Sequence, residues 1–279
     1  MDTTKHCWLL ANAASGSNTA EAVDAVCAAL ADAGCAVERR IGFPDETLPT
    51  IAELEAAGID LLVTYTGDGS VRSVFDTLEG WGGKVLVLPG GTTNLLSKAL
   101  HGDRPAEEIA ASLSTMRSVR RSCIRSEAGM AVIEVVAGPG AKWSDVRENI
   151  REGDVAAMAS NAVEAVQASA GASQVRICAP TLGNPEGYAG VRLTPEADGL
   201  DVEGYGAQTV ADYFRQGVAL LRRDFRLGPH DELGRHPTIT CASIDEAPIE
   251  LMLDGERSCG APAIAFSLAE LDLDLLSAA

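Results

Sequence analysis

The stretch DLLVTYTGDGS, Asp60 to Ser70, decides the fold. Leu61 to Thr66 has the composition of a buried strand, and a turn of two glycines around one carboxylate follows at once. Beyond the turn, Val71 to Leu78 places apolar residues at helical steps. The same order recurs on both sides. Cys7 to Ala11 (CWLLA) leads into the turn Asn12 to Ser17, then into a helical pattern carried by Ala20, Val23, Val26, Cys27 and Leu30 that ends near Gly34. Lys84 to Leu88 (KVLVL) leads into Pro89-Gly90-Gly91-Thr92-Thr93-Asn94 and a helix to Leu100. Between these units, Ala36 to Ile41 reads as a strand and Ile51 to Ala57 as a helix closed by Gly58. Alternation at this spacing predicts an α/β domain with a parallel sheet over residues 1–120.

From about residue 121 to 279 the pattern is mainly β. Ala131 to Ala137, Val175 to Ala179, Gly190 to Thr194, Leu200 to Tyr205, Thr238 to Ile244 and Ile249 to Leu253 read as short strands, spaced for antiparallel pairing. Two helical stretches interrupt them, Trp143 to Ser169 and Val210 to Arg223.

The chain has 279 residues, of which 46% are hydrophobic and 22% charged, the balance of a globular protein able to bury a sizeable core. A formal charge of −18 argues against nucleic acid as a partner, because phosphate neutralisation needs a basic face. It also argues against strong electrostatic docking on anionic membranes. Two basic clusters run against the trend: Arg117, Arg120, Arg121 and Arg125, then Arg222, Arg223 and Arg226. Solvated faces or salt bridges explain them more simply than a phosphate site. The seven cysteines are scattered and form no CxxC pair, so reduced, mostly buried thiols are expected. No apolar run approaches the ~18–20 residues of a membrane span, and Met1 to Leu10 lacks the features of a secretory signal. A cytoplasmic location is expected, and oligomeric state is not legible.

Three loops follow apolar strands and precede helices. In an open α/β sheet this is the crevice at the carboxyl ends of the strands, where unpaired amides at helix starts suit phosphate. In Asn12 to Ser17, small residues allow close backbone approach and Ser15 and Ser17 supply hydroxyls; an ordinary helix cap is the alternative. In Thr66 to Ser70, the glycines leave room for phosphate, and Asp68 can hold Mg²⁺ or a hydroxyl. In the third loop, Thr92, Thr93 and Asn94 supply donors at a helix start. None has the lysine of a P-loop or the spacing of a dinucleotide fingerprint.

Together these loops resemble the diacylglycerol kinase catalytic family, which includes bacterial lipid kinases and sphingosine and ceramide kinases. The first is similar to its Asn-Pro-x-Ser-Gly element, with Ala13 for proline. The second is similar to Gly-Gly-Asp-Gly-Thr, with Thr66 for the first glycine and Ser70 for the threonine. Pro89 to Asn94 resembles Pro-x-Gly-Thr-x-Asn. Pro195 to Asp201 is similar to a magnesium-binding segment of bacterial members, and Gly234-Arg235-His236 followed by Asp254-Gly255-Glu256 resembles the C-terminal region. The family's Gly-aromatic-Asp-Ala segment has no counterpart near Ala137 to Ala141.

The resemblance implies an NAD kinase-like nucleotide domain, a C-terminal β-sandwich that binds the acceptor and whose last strand can return to the first domain, and an active site in the cleft between them. It implies ATP with Mg²⁺. Asn12, Ser15, Gly16, Gly67, Asp68, Gly69, Ser70, Thr92 and Thr93 would bind the nucleotide, and Asp198 would contact metal. Glu256 would be the general base and Asp68 would position metal or phosphate. The acceptor would be a lipid hydroxyl of diacylglycerol or sphingoid type, with transient contact at a membrane surface. Two alternatives stand beside this: a kinase of a non-lipid alcohol such as NAD, and a non-catalytic nucleotide- or lipid-binding homologue. By the residues alone, Asp254-Gly255 is a hairpin turn. His236 reads as a satisfied structural histidine, and His101 as a helix C-terminal residue favoured by the dipole.

Overall fold

A computed structural model of the chain describes residues 5–12, 18–139, 174–206 and 230–278. Most of the first loop, both helices expected at 143–169 and 210–223, and Arg222, Arg223 and Arg226 lie outside the described residues. The chain divides into two compact units, one of residues 1–121 with 270–279, the other of residues 122–269.

The first unit runs β1 (Lys5–Asn12), α1 (Ala20–Asp32), β2 (Cys35–Phe43), α2 (Ile51–Ala56), β3 (Leu61–Thr66), α3 (Asp68–Leu78), β4 (Lys84–Pro89), α4 (Leu95–His101), α5 (Ala106–Ala111) and β5 (Arg117–Val119). The last strand of the chain, β18 (Asp274–Ser277), completes its sheet, in the order β2-β1-β3-β4-β18-β5. Pairings are parallel from β2 through β18, while β5 is antiparallel to β18, so the sheet is mixed at that edge. Every residue of β3 is buried, as expected of a strand covered on both faces. One face packs Leu9, Val63, Tyr65, Leu86 and Leu88 against α1 and α5. Local signals set the helix starts: the Thr19 hydroxyl accepts the Ala22 amide, and Thr50 and Glu53 form a capping box on α2.

The second unit contains β6 (Ser122–Ser126), β7 (Gly129–Ala131), β8 (Val135–Ala137), β9 (Val175–Ala179), β10 (Thr181–Leu182), β11 (Gly190–Pro195), β12 (Leu200–Tyr205), β13 (Asp231–His236), β14 (Thr238–Ser243), β15 (Ile249–Leu253), β16 (Glu256–Gly260) and β17 (Ala263–Glu270, whose final residue belongs to the first unit). They form two six-stranded sheets, β10-β9-β14-β17-β6-β7 and β13-β12-β11-β8-β15-β16. Alternate residues of both sheets, among them Ile124, Ile177, Leu193, Val202, Ile239, Leu251 and Phe266, meet in one core.

One expected strand, Ala131 to Ala137, is corrected. It is two strands in different sheets, β7 and β8, and residues 132–134 carry the chain across. The cause is remote in sequence: the buried carboxylate of Asp254 accepts the amides of Val132, Ile133 and Glu134 and withdraws them from any ladder. All seven cysteines are free, and Cys178 and Cys259 are exposed rather than buried.

Candidate active site

The sheet order places β1 between β2 and β3, so the chain winds away from β1 in both directions. That reversal opens a crevice at the carboxyl ends of the strands. Register brings the three loops to this edge: Ala11 is opposite Tyr65, and Thr66 is opposite Pro89. Asn18, which the sequence reading passed over, closes the edge beneath the first loop. Its buried amide group donates to the Asn12 carbonyl at 3.1 Å and to the Tyr65 carbonyl at 2.8 Å, tying the ends of β1 and β3. A polar residue directly before the Thr19 cap was the available signal. Ser15 and Gly16 lie outside the described residues.

The second and third loops touch backbone to backbone. A Cβ on Gly91 would lie 2.5 Å from the Gly67 Cα, and one on Gly90 would lie 2.4 Å from the Thr66 nitrogen. Only glycine allows this approach. The two loops then divide the amides of two helix starts. Asp68, in the first turn of α3, reaches across to α4, its oxygens accepting from Leu95 at 3.1 Å and Leu96 at 3.3 Å. Burial raises its pKa above the ordinary carboxylate value, and the amide bonds from α4 oppose that rise. The start of α3 has no such partner. Its N-cap is Gly67, and no side chain caps it, which leaves first-turn amides of an 11-residue helix available to an anion.

Thr66 ends β3 at 2% exposed with its hydroxyl unpartnered. Asn94 is engaged within its own loop, accepting from the Gly91 amide at 2.7 Å and donating to the Gly91 carbonyl at 2.8 Å. It shapes the turn, where the sequence reading had it as a donor to ligand. Thr92 is exposed and Thr93 half-buried on the same turn. Gly69 and Ser70 lie within the first turn of α3.

Glu256 belongs to the second unit. It opens β16 opposite Leu253, and Asp254 and Gly255, with φ of 51° and 90°, form the two-residue turn between them. Glu256 is exposed at this tip, whereas Asp254 is buried. Asp198 lies in the turn between β11 and β12 with its side chain 69% exposed, and pairs with the Arg235 guanidinium at 2.7 Å. No set of three or more His, Cys, Asp or Glu side chains able to hold a metal occurs among the described residues. His236 bonds the Leu233 carbonyl at 3.0 Å.

Residues 6–124 match the family model of the diacylglycerol kinase catalytic domain. The chain carries a domain of that family. The diacylglycerol kinase catalytic domain match spans the three loops and ends within β6. Two solved structures from Bacillus anthracis str. Sterne are similar in fold. One, a diacylglycerol kinase, is 15% identical with a TM-score of 0.65, covering 99% of this chain and 97% of its own. Another, described as "a putative diacylglycerol kinase", is 14% identical with a TM-score of 0.64 and the same coverage. At these identities the likeness is one of fold. No curated protein matches the sequence significantly. Among the described residues no helix is long and apolar enough to cross a membrane.

Proposed function

We propose that the protein is a lipid kinase that transfers the γ-phosphate of ATP to a lipid hydroxyl of diacylglycerol or sphingoid type. The observation that carries the reading is the uncapped start of α3 at the reversal of strand order, inside the segment that matches the kinase family. The first-turn amides of α3 would hold phosphate, and the orphaned Thr66 hydroxyl supplies a further donor beside Gly67. Asn12, Ser15, Gly16, Gly67, Gly69, Ser70, Thr92 and Thr93 complete the nucleotide site in this reading. Mg²⁺ bound through nucleotide phosphates asks the protein for only one or two carboxylates. Asp68 fits that demand, since a carboxylate has about four acceptor sites and the amides at the start of α4 do not fill them all. When bound, the metal would neutralise charge on the transferring phosphoryl group. Glu256 would take the proton from the acceptor hydroxyl, and its exposure at a fixed hairpin tip suits that role.

A silent nucleotide binder is the second reading, favoured by the engagement of Asp68 with α4. The test is transfer from γ-labelled ATP with Mg²⁺ to diacylglycerol, sphingosine and ceramide in mixed micelles, with Asp68→Asn and Glu256→Gln alongside. Label in one lipid, lost in both variants while ATP binding persists in Glu256→Gln, is the expected result. ATP binding without transfer to any acceptor would favour the silent binder. Absence of ATP binding would sink both readings.

A further inference from the structure

We propose that Asp254 is a positioning residue for the transfer, its carboxylate fixing the hairpin tip that carries Glu256. The inference rests on the reading of Glu256 as the base. An Asp in a two-residue hairpin turn is ordinarily solvated, and an Asp-Gly turn forms without help from elsewhere in the chain. Asp254 is instead 5% exposed. One oxygen accepts the Val132 amide at 2.7 Å, and the other accepts Ile133 at 2.8 Å and Glu134 at 2.9 Å. Its own amide donates back to the Glu134 carbonyl at 3.0 Å. Bonds to an ionised acceptor are roughly twice as strong as neutral ones.

The clamp joins the tip to residues 132–134, where the chain crosses from the sheet of β7 to the sheet of β8. That crossing is braced in turn. Arg192 lies 3.8 Å from the buried carboxylate of Glu134 and 2.9 Å from Glu203, whose second oxygen accepts the Tyr205 hydroxyl. The tip is thus held to the crossing between the sheets, and the crossing is braced by β11 and β12 of the tip's own sheet. With its oxygens committed and its side chain buried, Asp254 does not serve as the base. Glu256, exposed two residues on, is the carboxylate of this tip that reaches solvent.

The experiment uses the full chain, ATP and whichever lipid the transfer assay labels, and compares wild type, Asp254→Asn and Glu256→Gln. Asparagine keeps the shape but offers one acceptor oxygen and turns N–H groups toward backbone N–H groups. Asp254→Asn is expected to lower kcat about 10- to 100-fold, as small misplacements of a catalytic group do. KM for ATP should be unchanged, with faster hydrogen exchange at Val132, Ile133 and Glu134. Gly255→Ala, which keeps the carboxylate but strains the backbone at φ of 90°, is expected to lower kcat the same way and serves if Asp254→Asn does not fold. Wild-type kcat in Asp254→Asn beside an inactive Glu256→Gln overturns the positioning role and leaves the base in place. A fall in kcat matched by a rise in KM for ATP overturns it as well, because that reports general loosening. Turnover by Glu256→Gln, or none by wild type, removes the base and the positioning role with it.

Discussion

His101 ends α4, where the helix dipole favours a cation, yet the structure makes it a neutral residue. It is 5% exposed, and its Nδ1 accepts the Ala278 amide at 3.3 Å. Burial pushes its pKa down to about 4, helped by the field of Arg104 and opposed by the Val87 carbonyl nearby, although Nε2 makes no hydrogen bond of normal geometry. The dipole reading assigned from sequence is corrected by a property that sequence position does not carry, the depth of the side chain. Because the folded value lies below the unfolded one, the contribution of His101 is fully present above about pH 6.5 and is lost as pH falls from there toward 4. By pH 5 the loss amounts to about 2 kcal/mol. His101→Gln keeps an acceptor for Ala278 and removes the titration. Urea midpoints measured from pH 7.5 to 5 should therefore fall more steeply in wild type than in the variant. Parallel curves would show that His101 titrates alike in both states.

At the scale of elements, the contact between the second and third loops is asymmetric, and this gives an internal control. A Cβ on Gly91 meets the Gly67 Cα at 2.5 Å, whereas a Cβ on Gly67 meets the Gly91 Cα at 3.4 Å, an ordinary contact. Gly91→Ala must push two backbones apart and is expected to cost about 1–3 kcal/mol and to weaken ATP binding. Gly67→Ala loses a favourable N-cap residue and is expected to cost no more than about 1 kcal/mol. Thermal unfolding of the pair checks the order; equal losses would mean that the loops can separate freely. The spacing of these glycines was readable because turn chemistry and helical periodicity are local. So were β12 and β15, at Leu200–Tyr205 and Ile249–Leu253, each an apolar run opening on alternation. The break between β7 and β8 was not readable, since Asp254 imposes it from 120 residues away at Glu134. Nor was the reach of Asp68 to α4: the motif marks a carboxylate, and only the packed loops show which amides it meets. The short strand β5 carries no apolar signal, since Arg117 and Ser118 are exposed and its order comes from pairing with β18 far along the chain.

Over the whole molecule, the first unit is made from both ends of the sequence. The chain leaves it at Arg121 and returns at Glu270, and the two crossing points are joined where the Leu271 amide donates to the Arg121 carbonyl at 2.9 Å. Arg120 reinforces the return, bonding Asp272 at 2.8 Å and Asp274 at 2.9 Å with Glu270 at 3.6 Å. In a chain of net charge −18, three acids so close need such a cation nearby. The larger stake is apolar. Leu271, Leu273, Leu275 and Leu276 are all buried, and β18 fills the place between β4 and β5. Each buried leucine contributes roughly 1.5–3 kcal/mol. Four of them together rival the roughly 5–15 kcal/mol that separates a folded domain from its unfolded state. A chain ending at Ala269 is therefore expected to lose the first unit and with it ATP binding. Loss should appear as missing hydrogen-exchange protection in β1, β3 and β4, whereas a weakened but folded sheet would keep it. Retention of cooperative unfolding and ATP binding by the truncated chain would show that β4 and β5 close the sheet without their inserted partner.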